Sequence, residues 1–237
     1  MNYQSLHFTE IDSTNDYLKN SYRLLNDFTF ASADYQSKGK GRYNRQWESK
    51  KGENLLFSLL LKDKKFLANA PVMSIYLTIE IAELLRIYGL KNIAIKWPND
   101  VYVDGKKICG VLTESQIPDY VVIGVGLNVN QTLFSDDLRR PATSMKLELK
   151  KDIDIEELKI ELFGQLADNL HKMYSDKYLA YFREHNFLQN KRVRVVVNNQ
   201  IFIGEVVGLD DDFCLKIVCR DMVLHIDSGE IEILWHS

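Results

Sequence analysis

Little in this 237-residue sequence supports a covalent or metal-built framework. Only three cysteines occur, Cys109, Cys214 and Cys219. They form no Cys-x-x-Cys pair and no even set, which argues against a disulfide scaffold or structural metal site and for a reducing compartment. The five histidines, His7, His171, His185, His225 and His236, are scattered without ligand spacing. No apolar run approaches the ~20 residues that span a bilayer. The first residues, Met1-Asn2-Tyr3-Gln4-Ser5-Leu6-His7, lack the basic stretch and apolar core of a signal peptide. Neither sign of charge dominates: 30 Lys+Arg against 33 Asp+Glu leave a net charge of −3. A grip on nucleic acid through bulk charge is therefore excluded. Gly-x-Ser-x-Gly, His-Glu-x-x-His and Walker A segments are missing too. What remains is a cytoplasmic globular protein with no membrane and no specific DNA among its partners.

The periodicities present are those of an α+β chain. Residues 3–11 read as a strand and 13–25 as a helix, with Ser13 and Asp16 in a capping-box-like start. Residues 28–34 alternate weakly, and 55–61 form a continuous apolar run suited to a buried strand. Pro71 opens a helix that runs to about Tyr88 and stops at Gly89, apolar on nearly every side and so placed centrally. Strands follow over 93–96, 101–103 and 107–113, the last two flanking an Asp104-Gly105 hairpin turn, and then over 120–129. Helical patterns cover 154–174 and 177–185. After Asn186 short Val- and Ile-rich runs alternate with Asn198-Asn199, Asp210-Asp211-Asp212 and Ser228-Gly229 turns, as in a small SH3-like barrel. The expected division is a domain over 1–188 and a β unit over 189–237.

Three segments could carry chemistry. Residues 36–53 hold Lys38, Lys40, Arg42, Arg45, Lys50 and Lys51 against Glu48 and Glu53, a local surplus of four positive charges, with Gly39 and Gly41 around Lys40 and Trp47 beyond. Glycines allow close backbone approach to an anion and positive φ. Alternating cations neutralise a polyphosphate or a carboxylate. A solvated basic loop has the same composition. In Lys96-Trp97-Pro98-Asn99-Asp100 the proline holds its neighbours in a stiff turn. Asn99 and Asp100 suit either an Asx turn or contacts to a ligand or Mg2+. The Gly124-Val125-Gly126-Leu127-Asn128-Val129-Asn130 stretch lacks the third glycine and following helix of a dinucleotide fingerprint. Asn128 and Asn130, two apart on a strand, are expected on one side, for recognition of a base or ribose or for a terminating turn.

Together these residues resemble a biotin protein ligase. The matching segments are Asp12-Ser13-Thr14-Asn15, the Gly39-Lys40-Gly41-Arg42-x-x-Arg45-x-Trp47 loop, Lys96-Trp97-Pro98-Asn99-Asp100, Lys107-x-x-Gly110 with Glu114, and the strand containing Asn128. With the β-rich tail they cover nearly the whole chain. Two positions depart from the bacterial pattern, Lys40 in place of Arg and Asn44 in place of Gly. Lysine keeps the charge and loses the planar fork. The resemblance also implies a short form without an N-terminal DNA-binding domain.

The resemblance implies a mixed sheet with flanking helices, like class II synthetase and lipoate-ligase catalytic domains, plus the C-terminal SH3-like barrel. It implies ATP-dependent activation of biotin as biotinyl-5′-AMP and transfer to a lysine of a biotin carboxyl carrier domain. Ser13, Thr14, Asn15 and Gln36 would bind the ureido head, and Lys40, Gly41 and Arg42 the carboxylate and phosphate. Arg45, Trp47, Asn99 and Asn128 would line the nucleotide side. Lys107 would hold the carboxyl oxygen, completing the biotin-binding set and, with Arg42 and Asp100, the catalytic set. Asp100 would orient Mg2+ or accept the proton of the incoming lysine. A lipoate or octanoate transferase of the same fold and a non-enzymatic biotin-sensing adaptor are the rivals, and monomer and oligomer are both open. Mutual repulsion among its cations is expected to leave the 36–53 loop mobile without ligand.

Overall fold

A run of eight buried residues, Asn54–Leu61, forms the centre of the larger sheet as strand β3. The structure is a computed structural model that describes residues 3–234 except 44, 136, 137, 139, 173–175, 198, 199 and 221, and not the side chain of His171. Asn44, the Asn198-Asn199 turn and His236 therefore lie outside the described residues. Around β3 stand β1 (Gln4–Phe8), β2 (Thr29–Ala33), β4 (Ile93–Lys96), β5 (Asp100–Val103), β6 (Lys106–Gln116) and β7 (Tyr120–Asn128), in the order β1-β2-β3-β7-β6-β5-β4. Only β1 and β2 run parallel, so the sheet is mixed. The Asp104-Gly105 turn has positive φ at both residues, as a two-residue hairpin between twisted strands requires.

Helix α1 (Thr14–Ser21) lies on one face of this sheet, where Leu18 packs with Ala31, Leu60, Tyr120 and Val122. It is shorter than the 13–25 expected. Lys62 Nζ donates to the carbonyls of Tyr22 and Leu25, so the chain leaves the helix with those acceptors satisfied. The first strand likewise spans less than 3–11. The opposite face carries α3 (Ala70–Ile87) and α5 (Ile155–Asn169), with α2 (Lys64–Leu67), α4 (Met145–Leu149) and α6 (Asp176–Glu184) at its margins. Pro71 stands at the start of α3 and Gly89, at φ +98°, just past its end, as their conformational preferences dictate. Short α4 had no expectation, although Ser144 caps it through Leu147 N and Lys150 ends it in a left-handed conformation. Phe163 of α5 stacks on Phe30 with ring centroids 3.9 Å apart and meets Phe57 edge-on at 4.9 Å.

The second sheet is antiparallel, with β8 (Arg192–Val197), β9 (Gln200–Leu209), β10 (Leu215–Cys219), β11 (Met222–Ile226) and β12 (Glu230–Ile233) in the order β11-β10-β9-β8-β12. One buried cluster runs through both sheets, from Phe57 and Ile123 to Val195 and Ile217. Trp97, 2% exposed, donates its indole N–H to Phe213 O across the join. Among the described residues no helix is long and apolar enough to cross a membrane.

Removing the Phe163 ring tests how far α5 pins this core. Phe163→Ala is expected to cost ~3–5 kcal/mol of stability in chemical denaturation. A loss below about 1 kcal/mol would show that α5 is not held there.

Candidate functional site

The face bearing α1 opens a cavity because β6 and β7 carry glycines there. A methyl group at Gly124 would overlap Asn15 of α1, and one at Gly126 would overlap the Trp47 indole. At Gly110 it would sit 2.9 Å from Trp47 Cζ3 and 3.0 Å from Lys107 Nζ. The glycines thus let α1 and the 36–53 loop descend onto the sheet, roofing a cavity of about 540 Å3. All the residues named above as binding or catalytic line it. Its far wall is Gly229, Glu230 and Ile231, at the start of β12.

Lys107 reaches this floor through an irregularity. Alternation would put Lys107 and Gly110, three apart, on opposite faces. The β5–β6 register shifts between Val101, paired with Cys109, and Tyr102, paired with Lys107. The extra residue is a bulge, and it re-aims Lys107 to the cavity side. There Lys107 Nζ lies 2.7 Å from Asp100 Oδ1 and 5.3 Å from the centre of the Trp47 ring.

Polar groups occupy the α1 end. Gln36 Oε1 accepts from Thr14 N at 2.7 Å and stands 3.1 Å from Thr14 Oγ1. Thr14 Oγ1 meets Ser58 Oγ at 2.6 Å, and Ser58 Oγ meets Asn15 Oδ1 at 2.5 Å. Asn15 Nδ2 donates to Glu114 at 2.7 Å, and Lys19 Nζ to the other Glu114 oxygen at 2.5 Å. Ser13 is the N-cap of α1, its hydroxyl accepting from Asp16 N at 3.4 Å.

The loop departs from its expected character in two respects. Its cations do not face one another unneutralised: Lys38 pairs with Asp12 and Lys40 with Asp16, both at 2.7 Å, Arg45 with Glu230, and Lys51 with Glu10 at 3.6 Å. Burial works to raise the Asp16 pKa, yet hydrogen bonds from Lys40 and Lys19 hold it below the usual carboxylate range. The repulsion argument for a mobile loop therefore fails. Nor do Gly39 and Gly41 supply positive φ. A Cβ at Gly39 would stand 3.0 Å from Trp47 O, and the Gly41 amide donates to Arg45 O at 2.7 Å rather than to the cavity. These residues form a narrow hairpin, not an anion nest.

The Lys96–Asp100 turn, with a cis Trp97–Pro98 bond, faces the cavity's other end. Asn99 Nδ2 donates to Val111 O at 2.7 Å and Asn99 Oδ1 accepts from Arg42 at 3.3 Å, so both ends of its amide hold protein. Arg42 also donates to Gly229 O at 3.4 Å. Asp100, expected to orient Mg2+ or to accept the proton of the lysine, is engaged inside the protein. It is already neutralised by Lys107, and no three His, Cys, Asp or Glu side chains gather as a metal site among the described residues. Asn128 donates to Thr143 O at 3.0 Å, whereas Asn130 lies beyond β7 and exchanges hydrogen bonds with Ile153, away from the cavity. Among the described residues, Asn128 Oδ1 and Trp47 Nε1 are buried without a partner.

Several site residues had no assigned role in the sequence. Ser58 is the one polar residue in the apolar run over 55–61, which is a signal. Lys96, 8% exposed, and Arg140 both donate to Ile231 O, at 3.3 and 3.4 Å. Burial, with Arg140 nearby, lowers the Lys96 pKa to about 7.

The sequence profile described as the Biotin/lipoate A/B protein ligase family matches residues 7–128, from β1 to the end of β7. The chain belongs to the biotin/lipoate A/B protein ligase family. Across 234 aligned residues it is 29% identical to the bifunctional ligase/repressor BirA of Bacillus spizizenii, covering 91% of this chain and 70% of that one. It is 27% identical to a biotin–[acetyl-CoA-carboxylase] ligase of Mycobacterium tuberculosis, over 84% of this chain and 76% of the relative. Among solved structures, a biotin protein ligase from Aquifex aeolicus in complex with biotin and ATP superposes with a TM-score of 0.85 at 29% identity, covering 98% of both chains.

Two outcomes test the geometry of this family member. Gly126→Ala should expel the Trp47 ring and raise acrylamide quenching of tryptophan fluorescence by about half or more, an overlap that cannot be absorbed in place. Quenching equal to that of the parent would show that Trp47 does not need the bare strand. The second concerns Lys96. With its folded pKa below the unfolded value near 10.4, the unfolded state binds more protons between about pH 7 and 10, so stability gained from this group rises across that window. Lys96→Met should accordingly gain most on the parent at or below pH 7, the difference shrinking by pH 9.5. A pH-independent difference in denaturation midpoints would refute a neutralised Lys96.

Proposed function

We propose that this protein is an ATP-dependent biotin protein ligase. It joins the biotin carboxylate to the α-phosphate of ATP, releasing pyrophosphate, and passes the biotinyl group to a lysine of a biotin carboxyl carrier domain. The observation that carries this reading is one cavity lined by Thr14, Asn15 and Gln36 at one end, by Lys40, Arg42 and Lys107 in the middle and by Trp47, Asn99 and Asn128 beyond, in a chain similar over its length to a ligase that binds biotin and ATP.

In this reading the ureido head sits against Thr14, Asn15 and Gln36, with Ser13 fixing the start of α1. The carboxylate turns toward Lys107, and Lys40, Arg42 and Arg45 face the phosphates. Bringing a carboxylate to the α-phosphate sets like charges together, and preorganised cations lower that barrier most where water is excluded. Each cation starts on an internal carboxylate or carbonyl, so the anionic substrates exchange partners rather than order free side chains. Asp100 is a positioning residue for Lys107, and Mg2+ is assigned to no side chain. Trp47 Nε1 and Asn128 Oδ1, one donor and one acceptor, are offered to the nucleotide. In the second step the lysine amine attacks the acyl carbon, loses a proton, and AMP leaves.

A lipoate or octanoate transferase is disfavoured by the head end. An alkyl acid would leave the polar groups of Thr14 and Gln36 facing carbon, which costs free energy wherever one of them then lacks a partner. A biotin-sensing adaptor would not need the cation set. We place the enzyme in the cytoplasm, where Cys109, Cys214 and Cys219 stay free thiols, and set the boundary of the C-terminal unit at residue 188. No sequence-specific DNA partner is assigned, the chain carrying a net charge of −3.

Incubation with biotin, ATP and a carrier domain should add one biotinyl mass to the carrier and release pyrophosphate. Lys107→Ala should slow biotin-dependent pyrophosphate release by ~10²–10³-fold, as for loss of one oxyanion donor. No carrier modification by the parent enzyme would reject the function. Release by the variant within about threefold of the parent would reject the role of Lys107 alone.

A further inference from the structure

Glu114 belongs to the matching segments yet stands outside the cavity lining, its side chain 29% exposed. A carboxylate only accepts hydrogen bonds. Asn15 must therefore turn its amide nitrogen to Glu114, which leaves Asn15 Oδ1 facing Ser58 Oγ. That amide oxygen also only accepts, so the single Ser58 proton is committed to it. Ser58 Oγ in turn accepts from Thr14 Oγ1. Thr14 Oγ1 stands 2.6 Å from Ser58 Oγ and 3.1 Å from Gln36 Oε1; its one proton goes to the shorter contact, which leaves Gln36 Oε1 the Thr14 backbone N–H. Every link is forced in one direction, from Thr14 through Ser58 and Asn15 to Glu114. Lys19 holds the far end, pairing with Glu114 and, at 3.0 Å, with Asp16.

The consequence reaches the ligand. Thr14 meets the cavity as an acceptor because its hydrogen points into the protein, and Gln36, its oxygen engaged, has Nε2 to offer as a donor. That pair complements a head group with both an N–H and a C=O, which a cyclic urea has and an alkyl or dithiolane end lacks. We infer that Glu114, held by Lys19, is a positioning residue that fixes the hydrogen-bond polarity of the head end and so sets the class of acid accepted. This rests on the cavity being the biotin site. A glutamine at 114 would offer either an oxygen or an amide nitrogen, allowing Asn15 to turn over and the chain to run either way.

Calorimetric titration of the full chain with biotin tests it, alongside the ATP KM and the melting temperature. Glu114→Gln should weaken biotin binding by about tenfold, with the ATP KM within about twofold and the melting temperature within about 3 °C. Asn15→Asp should weaken it at least as much, two carboxylates then facing each other. The double variant Asn15→Asp/Glu114→Gln restores an acceptor-only group opposite Ser58 and a donor opposite position 15, and should bind within about threefold of the parent. A role in packing alone predicts a double variant no better than the worse single one, and that result overturns the inference. So does Glu114→Gln binding within about twofold of the parent. Should Glu114→Gln not fold, Ser58→Ala cuts the same relay at another link; a loss of about tenfold supports the inference and one under about twofold overturns it. Failure of the parent to bind biotin would reject the functional reading itself, a result distinct from these.

Discussion

The close approach of Asn15 and Trp47 to bare backbone at Gly124 and Gly126 governs the rest of the site. A strand carrying ordinary side chains would hold α1 and the 36–53 hairpin away from the sheet. Thr14 would then be separated from Ser58, and Lys107 from the Trp47 ring. Because the sheet continues unbroken beneath, from β3 to β7 to β6, this proximity needs no distortion of the ladder. The opposite face of the same strands buries Phe57, Ile123 and Val125 against α3 and α5, so the floor is rigid where the cavity needs it.

Electrostatic design follows from that proximity. The cations gathered around the cavity rest on carboxylates drawn from distant parts of the chain: Asp16 on α1, Asp100 on β5, Glu230 on β12. Partly exposed pairs of this kind contribute little to stability. Their value lies in holding charge at fixed positions before a substrate arrives. In the proposed reading an incoming anion replaces an existing partner, so affinity reflects the difference between two pairings rather than the full attraction of either.

Much of this was legible in the sequence where a single residue decides its own backbone. Pro71 and Gly89 bounded α3, Asp104-Gly105 marked its hairpin, and the apolar run over 55–61 marked the central strand. Contacts between segments far apart in the chain were not legible. The positive surplus of residues 36–53 suggested repulsion, because Asp12, Asp16 and Glu230 lie outside it. Gly39 and Gly41 suggested an anion nest, because composition does not distinguish positive φ from close hairpin packing. Local propensity likewise misplaced the end of α1, where Lys62, just past β3, takes the carbonyls of Tyr22 and Leu25. The Lys107-x-x-Gly110 spacing was visible, but not the bulge that gives it meaning.

That bulge makes strand β6 a ruler. Beyond it Gly110, Leu112 and Glu114 follow at even spacing, with Lys107 brought to the same face. In the proposed reading the reacting end of the acid and the anchor of its head are fixed to one strand, their supports at positions 110 and 114 separated by roughly 13 Å at a rise of ~3.3 Å per residue. Point substitutions can alter which head is welcomed, but not this separation. Changing it would require sliding β6 against β7, and a slip of one residue turns every side chain of the strand to the wrong side. The spacing along β6 is thus set by backbone pairing, in steps that side-chain replacement leaves untouched.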